Sequence, residues 1–167
     1  LKLDEKTSGW QSSDLVIIAG RPAMGKTSFA LSLAKNIAVD YHVPIAFFSL
    51  EMNNVQLVNR LISNVCEIPG NKMLNGQLTP DEWDRLDKRI GNLQGAPLYI
   101  DDTPGLSIFE LRTKARRLVK EKGVKILMID YLQLMNANGM KFGSRQEEVS
   151  KISQSLKGLA KELDIPI

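Results

Sequence analysis

Three stretches of this sequence carry residue types that could do chemistry on a phosphate. Gly20-Arg21-Pro22-Ala23-Met24-Gly25-Lys26-Thr27, continued by Ser28, contains the pattern G-x-x-x-x-G-K-[S/T]. Its parts have separable physical tasks. The glycines let the backbone curl so that successive N–H groups point at phosphate oxygens. A helix beginning near Lys26 turns its positive dipole end toward the same anion. The Lys26 ammonium can neutralise β- and γ-phosphate charge, and the Thr27 hydroxyl is a hard oxygen ligand for Mg²⁺. The pattern predicts a nucleotide site over residues 20–28.

The other two stretches are apolar runs that end in an acid: Leu50 is followed by Glu51, and Ile129 by Asp130. Ligands of a parallel sheet bind beyond the carboxyl ends of its strands. Asp130 therefore fits a Walker B aspartate, which helps hold Mg²⁺ through water. The next residue is Tyr131 rather than Glu, so the base for an attacking water must come from elsewhere. Glu51 is the candidate to orient and deprotonate that water; its plain alternative is a solvated loop carboxylate or a charge at a helix start. Asp101 and Asp102 either assist the metal or serve the turn before Thr103-Pro104-Gly105.

These residues need a frame, and the sequence implies one. Leu15-Val16-Ile17-Ile18-Ala19 is short, wholly apolar and stopped by Gly20, which predicts a buried parallel strand. Runs at 45–50, 98–100 and 126–129 predict three more, and Ile165 would open a fifth. Helix starts are marked by Thr79-Pro80-Asp81-Glu82, Ser107-Ile108-Phe109-Glu110 and Ser144-Arg145-Gln146-Glu147. Trp83, Leu86 and Ile90 are expected on one inward face. Leu111, Ala115 and Leu118 form a second such face, and Val149, Ile152, Leu156, Leu159 and Leu163 a third. Gly123 reads as a helix stop. Residues 26–39 and 55–65 are also expected to be helical, and 136–143 a polar loop.

Alternating strands and helices predict an α/β fold with a mostly parallel sheet flanked by helices. The expected division is a linker over 1–13 followed by part of one domain over 14–167.

At 167 residues, 43% hydrophobic and 25% charged, the chain is ordinary for one globular domain. No apolar run approaches the roughly 20 residues of a membrane-spanning helix. Leu1-Lys2-Leu3-Asp4 carries no secretory signal, so a cytoplasmic location and no membrane partner are expected. One cysteine (Cys66) and one histidine (His42) exclude a Cys/His zinc site. The net charge of +3 permits nucleic-acid binding without arguing for it. The missing initial Met and the apolar ending Ile165-Pro166-Ile167 read as a piece of a longer protein.

Taken together, Gly20–Thr27, Ser49-Leu50-Glu51-Met52 and Ile129-Asp130-Tyr131-Leu132-Gln133-Leu134 resemble the motor domain of the DnaB-type bacterial replicative helicases. So do Leu3-Asp4 with Thr7-Ser8-Gly9-Trp10, and Ser150-Lys151-Ile152-Ser153 through Leu156-Lys157-Gly158-Leu159-Ala160-Lys161-Glu162-Leu163. The likeness covers nearly the whole chain. It implies a RecA-like P-loop ATPase, incomplete at its carboxyl end, that uses ATP and Mg²⁺. It further implies a homohexamer that encircles single-stranded DNA, moves 5′–3′ and unwinds the replication fork, with primase and a helicase loader as partners and a place near the nucleoid.

By motif match, the resemblance gives Gly20 to Ser28 the nucleotide, Thr27 and Asp130 the Mg²⁺, Glu51 the base, and Gln133 a coupling role toward DNA-facing loops. The family's γ-phosphate-sensing glutamine, DNA-binding loop and arginine finger lie outside these 167 residues. Such fingers contribute about 10³–10⁵ in rate, so the isolated piece is expected to be weakly active or inactive. Two alternatives stay open: another RecA-like ATPase of recombination or repair, or an ATP-dependent assembly switch without unwinding.

Arg112, Arg116 and Lys120 fall on one helical stripe, with Arg117 beside it. They read as a subunit or DNA contact, or as a solvated face. Arg145, Lys157 and Lys161 could approach DNA phosphates, or simply aid solubility.

Overall fold

A computed structural model describes residues 5, 6, 8–21, 23–136 and 144–167. Its frame is a three-stranded parallel sheet of β1 (Ile45–Ser49), β2 (Leu98–Asp101) and β3 (Ile126–Asp130), in the order β2-β1-β3. Every residue of β1 is buried, as expected of a central parallel strand covered on both faces. Alternate side chains therefore enter two different cores. Ala46 and Phe48 pack with Leu111 and Ala115 of α5 (Ile108–Lys122) and with Ile152, Leu156 and Leu159 of α6 (Arg145–Leu163). Ile45 and Phe47 pack on the other face with Leu31 and Ala34 of α1 (Lys26–Lys35) and Leu57 and Leu61 of α2 (Asn54–Cys66).

Two further helices complete the crossover from β1 to β2: α3 (Gly70–Asn75) and α4 (Pro80–Leu93). Capping explains where several helices start. Thr79 with Glu82 and Ser107 with Glu110 form reciprocal capping boxes, and Asn53 with Gln56 forms a third at α2. Each cap contributes about 1 kcal/mol. Ser144 accepts the Glu147 amide at the start of α6. Gly123, at φ 65, ends α5 in the left-handed conformation that glycine adopts without strain. Among the described residues, no helix is long and apolar enough to cross a membrane.

The first expected strand is a correction. Residues 15–19 join no ladder, and Ile17 and Ile18 are 65% and 51% exposed. A strand needs a neighbour along its length to satisfy its amides. Here the neighbour is only the chain's last two residues. Val16 N donates to Ile167 O (2.8 Å) and Ile167 N to Asp14 O (2.8 Å), while Leu127 N of β3 donates to Pro166 O (3.1 Å). Farther along, a cleft of about 250 Å³ separates residues 15–20 from residues 126–133.

Smaller differences have local causes. Helix α1 passes into a π-helical turn (Asn36–Asp40) instead of staying regular to residue 39. Trp83 is 54% exposed, whereas its neighbour Glu82 is buried, because the Glu82 carboxylate closes the α4 cap and receives Lys72 of α3 at 2.7 Å. Of the loop expected at 136–143, residues 137–143 lie outside the described residues, as does Pro22.

Candidate nucleotide site

The loop before α1 is shaped by backbone conformations that few residues accept. Gly25, immediately before the helix, sits at φ 80 and ψ 24, and Ala23 at φ 63. At Gly20 a Cβ would lie 3.2 Å from Lys26 Cγ, so a side chain there would make the Lys26 stem shift by a few tenths of an ångström. Helix α1 has no side-chain cap and no acid in its first turn. Its first amides thus have neither an intrahelical acceptor nor a competing carboxylate, which makes the helix start receptive to an anion. The Lys26 ammonium lies 5.0 Å from the centre of the Tyr131 ring, a cation–π contact.

The two acids stand on neighbouring strand ends. Ser49 is level with Asp130 across the β1–β3 pair, and Leu50 N donates to Asp130 O at 2.7 Å. Glu51 follows in an exposed turn that Ser49 closes: its buried hydroxyl donates to Met52 O (2.7 Å) and accepts from Met52 N (3.2 Å). Asp130 is 6% exposed, and its Oδ2 has no hydrogen-bond partner. An unpartnered buried carboxylate oxygen is costly, and the chemistry of this donor fits a hydrated divalent cation.

Gly20, Lys26, Asp130 and Gln133 line one cleft, which the fold brings together from α1 and the end of β3. Thr27 is half-buried on α1, while Arg21, Ala23 and Met24 are exposed. Ser28 faces away, toward Arg60 of α2 (3.5 Å) and a second cavity of about 550 Å³. Asp102 accepts the Asn54 amide at the start of α2 (2.7 Å). Burial opposes the charge on Asp101, but Lys114 and Thr103 donate to it and hold its pKa below the usual carboxylate value. Both aspartates thus serve a turn and a cap. Among the described residues, no cluster of three or more His, Cys, Asp or Glu could hold a metal.

Four of the basic residues have definite partners as well. Arg112 and Arg116 of α5 both meet Glu162 of α6, Arg116 through Nε at 2.6 Å. Arg117 is exposed. Lys157 donates to Ser13 O at 2.7 Å, and Arg145 donates to the carbonyls of Gln133 and Met135. Sequence reasoning names Ser49 and Tyr131 only as parts of longer motifs and Arg145 only as a DNA-phosphate or solubility residue; it does not foresee the Ser49 turn, the Tyr131 contact with Lys26 or the Arg145 bonds to the carbonyls. A serine ending an apolar run and an aromatic beside Asp130 are visible signals; the reach of Arg145 to the carbonyls has none.

Known proteins are similar to this chain in sequence and fold. The DnaB-like helicase C-terminal domain family matches residues 1–167. The chain is 46% identical over 166 residues to the replicative DNA helicase DnaB of Geobacillus stearothermophilus, covering 99% of this chain and 37% of that protein. It is 48% identical to the replicative DNA helicase DnaB of Nostoc sp., covering 99% of this chain and 19% of that protein. The chain thus spans well under half the length of these curated relatives. Among solved structures, a DnaB-like replicative helicase studied for its interactions with primase matches with a TM-score of 0.89 at 36% identity, over 99% of this chain and 40% of that one. A second solved structure, of an ATPase domain, matches with the same score and identity, over 99% of this chain and 59% of that one. The chain belongs to the DnaB-like helicase C-terminal domain family.

Proposed function

We propose that residues 14–167 form part of the ATP-hydrolysing motor of a replicative DNA helicase. One observation carries the reading: Asp130 is buried with an unpartnered oxygen in the same cleft as Lys26, beside a turn that presents Glu51. In this scheme the backbone N–H groups of 23–28 and the Lys26 ammonium bind the β- and γ-phosphates. Thr27 and Asp130 would hold Mg²⁺, which would supply charge neutralisation on the phosphates. Glu51 takes a proton from the water that attacks the γ-phosphorus. The bond to the bridging oxygen breaks, and ADP leaves with the electron pair. Gln133, on the turn after β3, links this chemistry to single-stranded DNA.

In the whole protein, the likeness to replicative helicases supports a homohexamer that translocates 5′–3′ and unwinds DNA, with primase and a loader as partners in the cytoplasm. The test is MgATP turnover by the full-length protein, with and without single-stranded DNA, for wild type and Glu51→Gln. DNA-stimulated turnover that collapses in the variant while nucleotide still binds supports the scheme. Turnover indifferent to DNA points to the assembly switch or another RecA-like ATPase. An active Glu51→Gln protein removes Glu51 as the base.

A further inference from the structure

The turn that follows β3 is held from two directions. Asn136 ties it to the start of α5: Ile108 N donates to Asn136 O (3.0 Å), and Asn136 Nδ2 donates to Gly105 O (2.8 Å). From the other side comes Arg145, the first residue of α6. Its Nη2 donates to the carbonyls of both Gln133 and Met135, the latter at 2.8 Å, while Nη1 meets the Glu148 carboxylate. Met135, between these anchors, is wholly buried.

Carbonyls at the end of a short 3₁₀ turn, here Leu132–Leu134, have no partner within the turn. A rigid planar fork of donors suits two of them at once, and a lysine ammonium does not reproduce that geometry. The arrangement is more specific than a solvated surface cation requires. It also directs this guanidinium to its own chain rather than to a nucleic-acid phosphate.

We propose that Arg145 is a positioning residue for the nucleotide cleft: by holding the Gln133 and Met135 carbonyls, it fixes the backbone on which Tyr131 and Gln133 stand opposite Lys26. The proposal rests on the reading of that cleft as an ATP site. Arg145 itself touches none of the reacting atoms. Its effect passes through the turn, so it governs how well the bound nucleotide is aligned rather than how tightly it is held.

The test compares full-length wild type, Arg145→Ala and Arg145→Lys in four measurements: MgATP turnover with single-stranded DNA, affinity for a fluorescent ATP analogue, thermal midpoint, and amide exchange. For Arg145→Ala, kcat falls about tenfold to a hundredfold, the scale of a small misplacement far from the chemistry, while analogue affinity holds. Exchange over 131–136 speeds up, and that of β1 does not. Arg145→Lys recovers only part of the turnover.

Wild-type kcat in Arg145→Ala, or full recovery in Arg145→Lys, overturns the proposal. Parallel loss of affinity, turnover and thermal midpoint overturns it too, since that marks a purely structural role. If Arg145→Ala does not fold, Arg145→Lys decides by the same criteria. A wild-type protein that binds and hydrolyses no ATP defeats the underlying reading, and this proposal with it.

Discussion

Ser49 and Asp130 stand level at the ends of adjacent parallel strands, and the two chains stay joined one residue later, where Leu50 N donates to the Asp130 carbonyl. Asp130 and the turn that carries Glu51 are thereby fixed to each other through backbone, and Ser49 folds that turn. Removing that hydroxyl leaves the Met52 N–H and C=O without their partner. Ser49→Ala should therefore cost about 1–3 kcal/mol of stability and lower kcat more than it weakens nucleotide binding. Denaturant unfolding together with steady-state kinetics of the full-length protein measures both.

Asp130→Asn keeps the shape of the side chain and removes its charge. Nucleotide binding should persist, the Mg²⁺ concentration needed for half-maximal turnover should rise, and kcat should fall by about a hundredfold or more, as for other lost electrostatic contacts to a transition state. A Mg²⁺ titration of turnover checks this. An unchanged metal dependence would remove Asp130 from the metal role.

Glu82 offers a pH test unconnected with catalysis. The Lys72 ammonium, with the Thr79 amide and hydroxyl, holds its pKa at about 2, against an ordinary value of 4.5. A depressed carboxylate pKa means that its stabilising effect is complete above the unfolded-state value and fades as pH falls through the folded-state value. Glu82→Gln should lower the thermal midpoint at neutral pH. That deficit should shrink as pH falls from about 4.5 toward about 2, and a pH series of melting curves for both proteins follows it.

The ion pairs of Glu162 with Arg112 and Arg116 are accessible to solvent. A double-mutant cycle on Arg116 and Glu162 should yield a small coupling at low salt. It should be largely gone at about 1 M salt, where the screening length is about 3 Å. A coupling that survives such salt would mean the pair is shielded in the assembled protein.

In the core, Phe47 has no exposed surface and packs under α1 and α2. Phe47→Ala should cost about 3–5 kcal/mol, a large share of the roughly 5–15 kcal/mol typical of a domain. Denaturant titration reads it directly.

Local signals are the most legible part of the sequence. Thr79 with Glu82 and Ser107 with Glu110 mark helix starts because the partners lie within one turn, and the structure forms both boxes. The runs at β1 and β3 are apolar enough to specify neighbouring strands of a parallel sheet, which places the ends of those runs, Ser49 and Asp130, side by side. What sequence reasoning misses depends on neighbours distant in the chain. The run 15–19 has a strand's composition, but composition supplies no ladder partner. Trp83 follows helical periodicity, yet α4 turns so that Glu82 meets Lys72. Helix α3 has only six residues and opens on glycine, too short for a period to emerge. The Arg145 fork joins α6 to a turn ten and twelve residues earlier, a contact that no spacing rule announces.

Helix α6 is gripped at both ends by different parts of the molecule. At its start Arg145 holds the turn after β3; near its finish Lys157 and Asp164 hold Ser13, and Glu162 holds α5. Its 19 residues make a rod about 28 Å long. Such a rod is a brace, buried along its length at Ile152, Leu156, Leu159 and Ala160. A pull on Ser13 would thus be felt at the turn that carries Gln133.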